Sequence, residues 1–289
     1  MFYSIKDIVD QSVAYNGSVS ELMIQTEMEL SNRSRNEILS IMEKNFQIMQ
    51  ESIQDGLENS PSRTGLSGGD AHRIHQYLNE GNFLSGQTIL TAVRNAVATN
   101  EVNAKMGLIC ATPTAGSAGV LPAVLFAAKE KLNLTHEECI SFLFTAGAFG
   151  LVLANNASIS GAEGGCQAEV GSASAMASAA LVLHNGGTPT QASHALAMTI
   201  KNMLGLICDP VAGLVEVPCV KRNALGSSLA FVSADMALAG VQSKIPPDEV
   251  VHCMYQVGKT IPGVFKETAE GGLATTPTGM RYMEDIFGD

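Results

Sequence analysis

Six cysteines stand in the chain, at positions 110, 139, 166, 208, 219 and 253, and none belongs to a C-x-x-C pair. Thiols outside a disulfide framework serve as core residues, nucleophiles or metal ligands. Three of them share an unusual setting. Cys166 ends the run Gly161-Ala-Glu-Gly-Gly-Cys166 and precedes a long stretch of small residues. The glycines let backbone approach closely, and the amides of a following helix N-terminus favour a thiolate. Cys208 is followed by Asp209-Pro210, and Cys219 is preceded by Pro218. Proline forbids a regular helix at those points, so both thiols are expected on rigid, irregular segments. Lys221 and Arg222 form the densest positive spot, able to stabilise thiolates or bind a carboxylate, or else simply a solvated helix start. The separations, 42 residues from 166 to 208 and 11 from 208 to 219, match no local zinc or ferredoxin signature. Spacing alone therefore leaves buried core thiols open as the alternative.

Polar candidates lie around these cysteines. The Thr112–Gly119 turn offers the hydroxyls of Thr112, Thr114 and Ser117 and backbone amides able to bind a carboxylate. Asn155, Asn156 and Glu163 precede Cys166 in apolar surroundings, where a buried polar group needs a partner. They are expected to contact substrate or to cap helices. No base can be picked from the histidines. His72 and His75 read as a solvated helix start, His184 as a helix C-terminus, and His136 and His252 lie in helical contexts. Cys110, Cys139 and Cys253 are expected to be core thiols.

The elements that must position these groups are helices. Ser18 with Glu21, Ser34 with Glu37, Thr135 with Glu138 and Thr188-Pro-Thr-Gln191 have capping-box spacing. Ile38, Met42, Phe46, Met49, Ile53 and Leu57 form one helical face. Asn185-Gly186-Gly187 should end the helix that follows Cys166, and Pro246-Pro247-Asp-Glu should start a late one. Alternating strand patterns are hard to find. The fold class is mainly α, with central helices hydrophobic nearly all round. One domain over 1–289 is expected, with an N-terminal helical region, 1–60, leading through a Ser/Gly-rich loop into a body, 61–289. Gly107-Leu-Ile-Cys110 with Pro113 and Gly116 echoes Gly205-Leu-Ile-Cys208 with Pro210 and Gly213. The echo suggests two similar loops facing one cavity; chance similarity in an Ala/Gly-rich chain is the alternative.

Composition bounds the partners. Hydrophobic residues make up 46% and charged residues 16%, with a net charge of -11, which fits a packed core and disfavours phosphate backbones. No nucleic acid is expected. The most apolar stretch, 141–154, reads as too short to span a bilayer, so neither a membrane nor a secretory route is expected and the protein is placed in the cytoplasm. Gly161–Gly165 does not read as a pyridoxal-phosphate loop, because no strand leads into it and no lysine stands nearby.

Three segments carry a resemblance: Cys110-Ala-Thr-Pro-Thr-Ala-Gly-Ser-Ala-Gly119, Gly161–Gly171 around Cys166, and Leu204–Asn223 with Cys208 and Cys219. With the Thr64–Asp70 loop, they resemble the bacterial iron–sulfur L-serine dehydratases, from about Arg35 to the C-terminus. That resemblance implies a [4Fe–4S] cluster held by Cys166, Cys208 and Cys219, with one iron free of protein ligands to act as a Lewis acid. It implies L-serine as substrate, with pyruvate and ammonia as products. The matching part is the α chain alone, so a separate β chain, a hetero-oligomer and a catalytic base on that β chain are implied too. The alternative is a non-catalytic scaffold stabilised by zinc or iron at the same cysteines.

Overall fold

Side-chain caps start six of the thirteen α-helices among the described residues. In the computed structural model, which describes residues 1–288, the chain runs through α1 (Ile5–Ser12), α2 (Val19–Ser31), α3 (Arg35–Gly56) and α4 (Asp70–Glu80). It continues with α5 (Gln87–Ala104), α6 (Val120–Leu132), α7 (His136–Asn156), α8 (Gly161–Gly164) and α9 (Cys166–His184). The last four are α10 (Pro189–Met203), α11 (Cys219–Leu238), α12 (Pro247–Thr260) and α13 (Pro277–Phe287). Reciprocal capping boxes form at Ser34, Thr135 and Thr188 as the spacing predicts. At Ser18 only half the box forms, because the Glu21 carboxylate is taken by Arg35 at 2.6 and 2.8 Å. Among the described residues there is no strand, only an isolated bridge between Cys208 and Lys266. The fold is mainly α.

The axis of the molecule is α9. Every residue from Cys166 to Val182 is buried, and α6, α7, α10 and α11 pack around it. Its small residues set how near those neighbours come. Ser174 Oγ donates to the Gly226 carbonyl at 2.6 Å, and a Cβ on Gly226 would meet Val170 Cγ1 at 2.7 Å. A methyl group at such a crossing costs about 1–3 kcal/mol through overpacking.

α7 corrects one expectation. Its 21 residues, with a mean hydropathy of 1.5 over the apolar window, are long and apolar enough to cross a membrane. Yet 67% of that window is buried inside the fold, where Phe142, Phe149 and Leu153 join the core. The stretch is apolar because it is a core helix. The N-terminal helices share that core through Phe2, Ile5, Ile8, Leu22, Phe46 and Met49. Cys139 is buried there and Cys110 is half-buried against it. Cys253, expected in the core, is exposed on α12, whose buried face is carried by Val250, Val251, Met254 and Gly258.

Candidate active site

Two helix starts and one locked loop bring the chemistry together. Gly165, with φ 75° and ψ -177°, turns the chain out of α8 so that Cys166 becomes the first residue of α9. A side chain at Gly165 would also collide with the Leu206 carbonyl, 2.9 Å from its Cβ position. Gln167 then fixes the Cys208 loop: its backbone N–H donates to Leu206 O at 3.0 Å, and its Oε1 accepts from Gly205 N at 2.9 Å. Cys208 is held from the other side, donating to Phe265 O at 2.8 Å and accepting from Glu267 N at 3.1 Å. Cys219 departs from the expected irregular segment. It is the first residue of α11, entered through the cis Val217–Pro218 peptide, because proline ahead of a helix leaves its amides free.

Cys166, Cys208 and Glu169 are all buried, and their ligand atoms lie within 4.8 Å of one another. Cys219 is buried beside them but outside that tight group. The Cys166 thiol is lowered by a hydrogen bond from Cys208, against the effect of burial, with help from the Arg222 charge. Cys208 is pushed up because it gives that hydrogen bond and is buried. Burial and the negative charge on Cys166 push Cys219 up too. Cys166, at the α9 N-terminus, is thus eased towards thiolate, while burial works against charge on Cys208 and Cys219. Arg222, in the first turn of α11, is the cation the chain provides. Its guanidinium donates to Ile207 O at 2.8 Å and to Asp209 Oδ1 at 2.7 Å, and its charge favours a thiolate at Cys166. Lys221 points elsewhere, to an ion pair with Asp70. Three buried soft donors with one arginine between them fit a metal centre that favours sulfur.

Glu169 was not among the candidates read from the sequence, although its place three residues after Cys166 puts both on one helix face. Burial raises its carboxyl, and the Thr114 hydroxyl, donating to Oε1 at 2.5 Å, works the other way. Of the hydroxyls expected to meet substrate, only Thr114 reaches this cluster. Ser117 Oγ lies 3.1 Å from Thr114 Oγ1, and Thr112 Oγ1 points at Ala118 O at 3.5 Å, so both serve the turn itself. Asn223 stitches that turn to α11, donating to Gly116 O at 2.7 Å and Cys219 O at 2.9 Å while accepting from Gly119 N at 3.1 Å. The two echoing loops thus meet at Glu169, one through Thr114 and the other through Cys208.

Asn155, Asn156 and Glu163 are not in apolar surroundings. Both asparagines are exposed at the end of α7, and Asn156 donates to Tyr3 O at 2.6 Å. Glu163 is exposed and faces a separate cleft of about 390 Å³ with Ser158, Lys259 and Lys266. α7 ends at Asn156, which brings both asparagines to the surface. His72 and His75 are half-buried instead of solvated, against Leu57 O and Arg94 respectively, while His136 pairs with Glu43 at 2.6 Å.

The Thr64–Asp70 loop closes onto the same region. Glu216, buried three residues before Cys219, accepts from Thr64 Oγ1 at 2.7 Å and Ser67 Oγ at 2.5 Å. Glu101 of α5 accepts from Gly69 N at 3.0 Å and Asp70 N at 2.8 Å.

Residues 14–274 match the family model described as "Serine dehydratase alpha chain". The chain belongs to the serine dehydratase α-chain family. It is 59% identical over 288 residues to the Bacillus subtilis (strain 168) protein named "Probable L-serine dehydratase, alpha chain", covering all of this chain and 96% of that one. It is 43% identical over 288 residues to the "L-serine dehydratase, alpha chain" of Peptoniphilus asaccharolyticus, covering 99% of each. Against the L-serine dehydratase TdcG of Escherichia coli (strain K12) it is 35% identical over 268 residues, which are 90% of this chain and 59% of that longer one. The family span contains every site residue described above, from Thr64 to Glu267, and ends before α13.

Proposed function

We propose that this chain is the catalytic α chain of an L-serine dehydratase, holding a [4Fe–4S] cluster on Cys166, Cys208 and Cys219 and working with a β chain. The supporting observation is the convergence of Cys166, Cys208 and Glu169 in a buried group, with Cys219 alongside, in a member of this family. The donor set suits it: thiolates are the usual ligands of iron–sulfur centres, and three of them leave one iron open. When bound, that iron supplies a Lewis acid for the departing hydroxyl of serine.

The chain's own residues do the rest. The α9 N-terminus and Arg222 offset the negative charge gathered on Cys166. Glu169, steadied by Thr114, can hold a proton at Oε2 within the buried group. The Thr112–Gly119 turn and the Thr64–Asp70 loop wall the site against water. The family resemblance assigns the base for the Cα proton to the β chain. Loss of that proton and of water gives an enamine, which tautomerises and is hydrolysed to pyruvate and ammonia.

The test is anaerobic co-expression with a β chain, followed by iron and sulfide counts and a pyruvate assay with L-serine. Four irons and four sulfides per α chain, with pyruvate formed, are expected. The compactness of the Cys166–Glu169–Cys208 group favours a second reading, a single zinc or iron ion in a non-catalytic scaffold. One metal per chain, no sulfide and no pyruvate would establish that reading.

A further inference from the structure

Asn100 on α5 is fully buried, and neither Nδ2 nor Oδ1 of its side chain has a hydrogen-bond partner among the described residues. A buried amide without partners is costly to a fold, and a leucine of similar size would remove the cost. The other unpartnered buried side chains, Ser172, His194 and Ser233, leave one atom each. Asn100 leaves both ends.

Its neighbours on α5 show where it points. Asn103 donates to Ala115 O at 3.1 Å, so that side of the helix faces the Thr112–Gly119 turn. A Cβ on Gly119 would stand 2.5 Å from Ala96 O, one turn earlier on the same side. Val97 packs with Val220, the residue after Cys219. At 3.6 residues per turn, Asn100 lies about 60° from Asn103 on one side and about 60° from Val97 on the other. Its amide is therefore aimed between the turn that carries Thr114 and the helix start that carries Cys219.

We propose that Asn100 is a substrate-binding residue for an α-amino acid, Nδ2 donating to the carboxylate and Oδ1 accepting from the ammonium group. An amide with a free donor and a free acceptor matches a zwitterion that bears one group of each kind on a single carbon. The assignment rests on the serine dehydratase reading above and names how that site holds its substrate.

The experiment compares the co-expressed α and β chains carrying wild-type Asn100, Asn100→Leu or Asn100→Ser. It measures iron content, thermal midpoint, KM and kcat for L-serine, and calorimetric binding of L-alanine, which has both charged groups and no hydroxyl to lose. Asn100→Leu is expected to keep its iron and melt at or above the wild-type temperature. Its KM and its L-alanine Kd should rise at least tenfold, with a smaller change in kcat, and Asn100→Ser should fall between. A lower melting temperature with lost iron, or a KM and Kd within tenfold of wild type, would overturn the assignment. A wild-type complex that binds L-alanine but makes no pyruvate would refute the dehydratase reading while leaving the binding comparison decisive for Asn100.

Discussion

The Thr114 hydroxyl fixes the Glu169 carboxylate from one side, 2.5 Å from Oε1, while two glycines leave room for it on the others. A Cβ on Gly116 would stand 2.7 Å from Oε1, and one on Gly161 would stand 2.7 Å from Oε2 and 3.2 Å from Cys208 Sγ. Neither glycine has a left-handed backbone, so an alanine meets only the site. Gly116→Ala and Gly161→Ala should each lower kcat/KM for L-serine at least tenfold. The fold should lose only about 1–3 kcal/mol, as overpacking does. Steady-state kinetics and urea denaturation of the same preparations check both halves.

Arg222 and Asp209 form a buried pair, with side chains 15% and 4% exposed. Asp209 uses its second oxygen to accept from Leu273 N at 2.8 Å, so the pair also anchors the segment before α13. Removing one member leaves a buried charge, at a cost of about 3–5 kcal/mol. Asp209→Asn and Arg222→Met are therefore expected to be strongly destabilised. Arg222→Lys should not rescue, because one ammonium cannot reproduce a planar fork bonded to two oxygens. The double variant Arg222→Met/Asp209→Leu should regain stability but not retain iron. Denaturation midpoints and iron analysis separate the two effects.

What could be read in the sequence was local. Ser34, Thr135 and Thr188 cap helices through contacts three residues away, and those starts fall where the spacing puts them. Ser18 differs because Arg35, fourteen residues on, competes for Glu21. The setting of Cys166 was legible from its glycines and the helix behind them. Glu169 was obscured by a helix in which everything is buried, and its partner Thr114 lies 55 residues away. Asn155 and Asn156 were misread because composition shows apolar neighbours but not where the helix surfaces. For Asn100 the sequence carries no signal: a buried amide without partners exists only once α3, α4, α6 and α11 have closed around α5.

The Glu216 carboxylate ties the Thr64–Asp70 loop to the segment entering Cys219. Hydrogen bonds to a charged group contribute about 1.5–3 kcal/mol, and both hydroxyls here reach the same carboxylate. Ser67→Ala should lose stability of that order. A cycle with Glu216→Gln should show a coupling of about 0.5–3 kcal/mol, as groups in one network do. Limited proteolysis is expected to cut first near Arg63 in the Ser67→Ala chain. An additive double variant would show that the loop is held by other contacts.

His184 gives the fold a pH dependence with a definite sign. The last residue of α9, it packs against Phe142 with tilted rings whose centroids are 5.2 Å apart, and lies 2.9 Å from Ala180 O through Nδ1. Burial holds its imidazole below the ordinary value of 6.5. Protonation is then easier in the unfolded chain, so stability is whole above 6.5 and falls as pH drops from 6.5 towards the lower folded value. Below that value the loss levels off. His184→Gln, which cannot titrate, should flatten this part of the curve while leaving other acid transitions in place. Thermal midpoints of both proteins between pH 7.5 and pH 5 (about one and a half decades of proton activity on the acid side of the ordinary histidine value) test it. Parallel curves for the two proteins would mean that His184 titrates no differently folded than unfolded.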